Sequence, residues 1–104
     1  MSKKKSILDF QEMKEKGEIV SWITAYDYPT ASFAEQAGID MILVGDSLGM
    51  VVKGYQGTEK VTMEDCISHS QDVRRGAPNT FVIGDLPFLS YQVSPEEAVR
   101  NAGR

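Results

Sequence analysis

Apolar residues in this chain come in short blocks, and polar, glycine-bearing segments separate them. Residues 19–24 (IVSWIT), 39–44 (IDMILV) and 80–83 (TFVI) are rich in β-branched and aromatic side chains, the composition of strands. Between them the apolar spacing lengthens to three and four residues, the period of helices. Residues 6–16 read as a helix capped by Ser6, with Leu8, Phe10 and Met13 as its apolar positions and Gly17 as its stop. Pro29 suits the first turn of a second helix, which puts Phe33, Ala34 and Ala37 on one face and ends at Gly38. Thr62 and Asp65 have the spacing of a capping box and open a third helix, which lays Met63, Cys66, Ile67, Ser70 and Val73 along one side. Arg74-Arg75-Gly76 closes it, with cations at the negative end of the helix dipole. Ser94-Pro95-Glu96-Glu97 supplies a cap, an N-terminal proline and a Glu three residues on, so a fourth helix starts there. Residues 46–61, with three of the nine glycines, read as a long loop.

A helix followed by three strand–helix units predicts an α/β fold, with a parallel sheet covered by helices. The division expected is a tail and helix over residues 1–17, then three βα units over 18–104, in one domain. Three strands leave two open edges, and the last helix has barely begun at Arg104, so the expectation is an incomplete architecture.

Composition narrows the classes. A formal charge of -4 speaks against a nucleic-acid partner, which needs clustered Lys and Arg. The basic run Lys3-Lys4-Lys5 reads as a solvated tail. Nothing approaches the ~20 apolar residues of a membrane span. The single Cys66 excludes an internal disulfide, fits a reducing cytoplasm, and reads as a small apolar filler rather than a reactive thiol.

Candidate chemistry lies where strands end: Thr24-Ala25-Tyr26-Asp27, Gly45-Asp46-Ser47 and Gly84-Asp85. In parallel α/β sheets, ligands bind at the C-terminal ends of strands. If the last two strands are neighbours, Asp46 and Asp85 project toward one point, where two carboxylates repel unless a cation or a shared proton intervenes. Mg²⁺ suits such a pair, since it takes one or two carboxylates and completes its octahedron with water and substrate oxygens. The competing reading is that each acid caps the next helix or binds loop amides. The glycine spacing of a dinucleotide fingerprint and the Gly-Lys-Thr/Ser of a phosphate loop are both absent. His69, the one histidine, is expected to make a structural hydrogen bond, and Ser47 shows no sign of a triad. Tyr26 stays open between contacting a ligand and packing at an edge.

These residues also resemble a known family. "TAYDYP" (24–29), "VGDSLGMVVKGY" (44–55), His69 with "VRRGAPN" (73–79), and "DLPFLSYQVSPEEAVRNA" (85–102) resemble the ketopantoate hydroxymethyltransferases. The resemblance implies the N-terminal part of a (β/α)₈ TIM barrel of the phosphoenolpyruvate/pyruvate type, a fold of about 250 residues. It implies Mg²⁺-dependent transfer of a hydroxymethyl group from 5,10-methylenetetrahydrofolate to 3-methyl-2-oxobutanoate, giving 2-dehydropantoate for pantothenate synthesis. By the same resemblance Asp46 and Asp85 are metal ligands, and Asp46, Ser47 and Asp85 contact the 2-oxo acid. The family's glutamate base would lie beyond Arg104, so no catalytic residue is expected within this chain and the chain alone is expected to be inactive. A cytoplasmic homo-oligomer is also implied. Trp22 and Cys66 depart from the residues expected of the family as packing changes, and Gly103 stands in the last helix where the family more often has a small helix former such as Ala. Two other readings stay open: a Mg²⁺-dependent 2-oxo-acid lyase of the same superfamily, and a non-catalytic α/β interaction fragment.

Overall fold

The computed structural model describes residues 4–104, so Lys3 of the expected basic tail lies outside the described residues. The elements follow the order α1 (Ile7–Lys16), β1 (Trp22–Thr24), α2 (Tyr28–Gln36), β2 (Met41–Val44), α3 (Leu48–Val51), α4 (Met63–Gly76), β3 (Phe81–Gly84) and α5 (Pro95–Ala102). The three strands form one parallel sheet in the order β1-β2-β3. Trp22 pairs with Met41 and Met41 with Phe81, while Val44 pairs with Gly84 at the C-terminal edge.

Alternation along the strands divides the sheet into two faces. Ile42 and Val44 point into a core with Ala25, Ala31, Ala34, Val73 and Ala77, so α2 and α4 cover that face. The opposite face carries Trp22, Thr24, Met41, Leu43, Phe81 and Ile83, and these side chains keep partial or full exposure. Phe10 of α1 meets Phe81 of that face edge-on, with ring centroids 5.1 Å apart.

Capping chemistry forms as the sequence dictates. Ser6 and Thr62 each accept from a backbone N–H three residues on, and Asp9 and Asp65 return the bond, so both helices open with full capping boxes. Ser94 accepts from the Glu97 N–H at 3.1 Å. Gly17 and Gly38 leave their helices with φ of 73° and 81°, where a side chain is strained.

Several expectations are corrected. β1 is three residues long rather than six, and Ile19 is 90% exposed, because an edge strand with one neighbour has little to bury it. β2 begins at Met41 rather than at residue 39. In α1 only Phe10 is buried, and Leu8 is solvent-facing. In α2 the buried residues are Ala31 and Ala34, while Phe33 and Ala37 face outward. Packing distance explains that choice. A Cβ on Gly76 would meet the Tyr28 carbonyl oxygen at 2.4 Å and the Ala31 Cβ at 3.1 Å, so α2 and α4 touch through small residues. Gly76 therefore permits this approach and is still helical; Arg74 terminates the segment by donating to the carbonyls of Ala77, Pro78 and Thr80 at 3.0, 3.2 and 2.8 Å.

The supposed loop at 46–61 contains α3, whose Leu48 and Gly49 are buried. Lys5 is not simply solvated tail, because its ammonium pairs with Asp40. The Asp40 carboxylate also accepts from the Ser21 N–H at 2.9 Å and hydroxyl at 3.1 Å, which joins α1 to the N-terminal ends of β1 and β2.

Candidate active site

The opposite, C-terminal edge of the sheet carries the candidate chemistry. Asp46 follows β2 and Asp85 follows β3, and the two strands are hydrogen-bonded neighbours. The Asp85 N–H donates to the Val44 carbonyl at 3.0 Å, so the ladder continues to this residue. Its Oδ2 then accepts the Asp46 backbone N–H at 3.0 Å. The sheet thereby brings together the two acids that the strand-end pattern singles out. An acid in this setting has one oxygen fixed by an amide and the other available.

Both carboxylates are half-buried. The Asp46 side chain receives no hydrogen bond or ion pair among the described residues. Gly45 forms the floor between the polar groups. A Cβ there would lie 3.2 Å from Asp85 Oδ2 and 3.3 Å from Ser47 Oγ, so only glycine leaves this cradle open. Asp46, Gly84, Asp85, Leu86 and Tyr91 line an open cleft of about 430 Å³ at the same edge. Tyr91 comes from the loop after β3, and nothing in the local sequence pattern marks it as a wall of this cleft.

The remaining strand-end acid has a different fate. Asp27 accepts from the Thr30 N–H at 2.9 Å and caps α2. Hydrogen bonding from the Thr30 side chain, and then from its N–H, holds the Asp27 carboxyl below the ordinary value. Of the competing reading for strand-end acids, helix capping is realised at Asp27 and amide binding at Asp85, while the Asp46 side chain does neither among the described residues.

Ser47 stands at the N-cap position of α3, yet its side chain makes no capping bond. Its Oγ lies 2.6 Å from the Tyr26 hydroxyl instead. Of the two roles left open for Tyr26, packing is the one observed: its side chain lies on the buried Leu48, Val61 and Cys66, while its hydroxyl meets Ser47. His69 makes the structural bond expected of it, with Nδ1 2.6 Å from the Tyr26 carbonyl oxygen. A link spanning 21 residues, such as Tyr26–Ser47, has no signature in local spacing.

Cys66 is buried, and burial pushes its thiol up to about 11, with the charges of Asp46, Asp65 and Asp85 adding to the effect. At neutral pH it stays a neutral thiol. Among the described residues no three His, Cys, Asp or Glu side chains converge as a closed metal cage. The donor set is instead two hard carboxylates beside open solvent, which fits an oxygen-seeking cation that keeps several waters.

Comparison with known proteins agrees with these motifs. The family profile described as ketopantoate hydroxymethyltransferase matches residues 4–104. A 3-methyl-2-oxobutanoate hydroxymethyltransferase of Alkaliphilus metalliredigens (strain QYMF) is 77% identical over 104 residues, covering 100% of this chain and 37% of the relative. One from Geobacillus kaustophilus (strain HTA426) is 60% identical over 100 residues, covering 96% of this chain and 36% of the relative. One from Bacillus cereus (strain AH187) is 58% identical over the same length. The chain thus spans little more than a third of the length of these relatives. With the profile matched from residue 4 to the last residue, the chain belongs to the ketopantoate hydroxymethyltransferase family.

Proposed function

We propose that this chain supplies the metal- and substrate-binding part of a hydroxymethyltransferase that acts on 3-methyl-2-oxobutanoate, with 5,10-methylenetetrahydrofolate as the one-carbon donor. The observation that carries the reading is the Asp46 N–H donating to Asp85 Oδ2, which fixes two acids of adjacent strands at one edge of the sheet. Family membership supports the choice of reaction. The larger architecture proposed is a (β/α)₈ barrel, of which the parallel three-stranded sheet and its helices are one sector.

Asp46 and Asp85 would hold Mg²⁺, the first with a carboxylate that no group among the described residues hydrogen-bonds, the second with the oxygen not held by the amide. When bound, the cation supplies electrophilic pull on the ketone oxygen and so acidifies the C–H beside the carbonyl. The chain's own residues orient the substrate. Ser47 presents a hydroxyl on the rim of the Gly45 cradle, where it donates to the carboxylate of the 2-oxo acid and sets the face that meets the one-carbon unit. Gly45, with no side chain, lets the acid lie close to the backbone. Removal of the C3 proton is assigned to none of these residues.

The same reading makes the protein a cytoplasmic homo-oligomer with no nucleic-acid or membrane partner. The net charge of -4 supports the former exclusion, and no helix among the described residues is long and apolar enough to cross a membrane.

The test is formation of the hydroxymethylated 2-oxo acid by the native polypeptide that carries this chain. Asp46→Asn and Asp85→Asn are each expected to lower kcat/KM by at least about 100-fold, the scale of losing a charged group from a site. Product formation by either variant at the wild-type rate contradicts the assignment.

A further inference from the structure

We infer that Tyr26 is a positioning residue for the 2-oxo-acid site: its hydroxyl fixes Ser47 Oγ so that the serine's own proton turns to the ligand carboxylate, and His69 holds Tyr26 in place. This rests on the reading of the site given above. Tyr26 and Ser47 follow neighbouring strands, and their hydroxyls lie 2.6 Å apart. A phenol O–H is a stronger donor than an alcohol O–H, and we take Tyr26 as the donor and Ser47 as the acceptor of this contact. A serine hydroxyl has one proton and two lone pairs. With a lone pair engaged by Tyr26, the proton points elsewhere, and among the described residues no acceptor takes it. Without Tyr26, no group among the described residues fixes the rotation of this hydroxyl.

Two further contacts keep the phenol where this job requires it. The Tyr26 side chain packs against Leu48, Val61 and Cys66, all buried, which fixes the reach of its hydroxyl. The last ladder bond from this segment is the Ala25 N–H to the Leu43 carbonyl at 3.1 Å, so sheet pairing stops one residue before Tyr26. His69 replaces it. A carbonyl oxygen only accepts, so Nδ1 of His69 carries the proton and donates to the Tyr26 carbonyl at 2.6 Å. Helix α4 thereby anchors the strand end, which in turn sets the serine.

The experiment is titration calorimetry of 3-methyl-2-oxobutanoate into the native polypeptide carrying this chain, with Mg²⁺ and without the folate donor. Tyr26→Phe, which removes a single oxygen, is expected to weaken binding about 10-fold, as is Ser47→Ala. The double variant is expected to bind no more weakly than Ser47→Ala alone, because both changes remove one unit. A residue that only stabilised the fold would instead lower the melting midpoint and weaken binding in both backgrounds. Losses that add, or Tyr26→Phe binding as wild type while Ser47→Ala does not, overturn the inference. Wild-type binding by Ser47→Ala overturns the reading of the site itself, and the inference with it. If Tyr26→Phe fails to fold, the same cycle with His69→Asn decides: the loss it causes must vanish in the Ser47→Ala background.

Discussion

Cys66 shows how much of a residue's behaviour is set by neighbours outside its own helix. Its composition-level reading as an apolar filler holds, and the structure adds the reason for inertness: burial, then the nearby charges of Asp46, Asp65 and Asp85, push the thiol up to about 11. Alkylation of folded protein at pH 8 is therefore expected to run at least about 100-fold slower than that of a free cysteine, and to recover on unfolding. Equal rates in the two states would contradict the burial. Gly45 is the second informative residue. Gly45→Ala sets a methyl group 3.2 Å from Asp85 Oδ2 and 3.3 Å from Ser47 Oγ. We expect a stability loss of only about 1 kcal/mol by denaturant titration, since the contacts are tight rather than impossible. Affinity for the 2-oxo acid is expected to fall by more than about 10-fold, because the methyl group fills the cradle. Unchanged affinity would mean the ligand lies elsewhere. The strand-end acids were legible as a pair because Gly-Asp recurs after consecutive apolar runs. Tyr26's bond to Ser47 was not, because it depends on how two strand ends are juxtaposed.

Elements were legible wherever the cause is local. Ser6, Thr62 and Ser94 each announce a helix through a bond to a residue three positions on, and all three form. Failures came where tertiary context decides. Phe33 looks like a core residue by spacing, yet the Tyr28, Ala31 and Gly76 approach selects alanines for that face. α3 is missed because Leu48 is stabilised by Val61 and Cys66, which lie 13 and 18 residues further along the chain. The junction of α1, β1 and β2 offers a test at this scale. Burial pushes the Asp40 carboxyl up, but the Lys5 ammonium and the Ser21 donors more than offset it and hold the group below its ordinary 3.8. A depressed folded value means the contribution is complete above the unfolded value near 3.8 and fades as pH falls through the lower, folded one. Asp40→Asn is thus expected to cost about 1–3 kcal/mol at pH 7, with the gap to wild type closing below about pH 4 in acid denaturation. A gap independent of pH down to 2 would count against the ionic lock.

The whole molecule divides its labour between the two ends of the sheet. The N-terminal end is closed by α1 through Lys5–Asp40 and Phe10–Phe81, while the C-terminal end presents Asp46, Ser47, Asp85 and the cleft beside Tyr91. Much apolar surface stays uncovered: Trp22 is 57% exposed and Phe33 68%, with Leu8, Val51, Phe88 and Leu89 also solvent-facing. Surfaces of this kind, with two unpaired strand edges, associate. The 104-residue chain on its own is accordingly expected to sediment as a concentration-dependent oligomer, and a strictly monomeric species across the micromolar range would contradict this. The central claim, that Asp46 and Asp85 jointly make a cation-dependent 2-oxo-acid site, is tested most directly by calorimetric binding of 3-methyl-2-oxobutanoate to the native polypeptide carrying this chain, with Mg²⁺ and with chelator. Binding in Mg²⁺ that falls at least about 10-fold both with chelator and in Asp85→Asn is the result predicted; equal binding under all three conditions would contradict it.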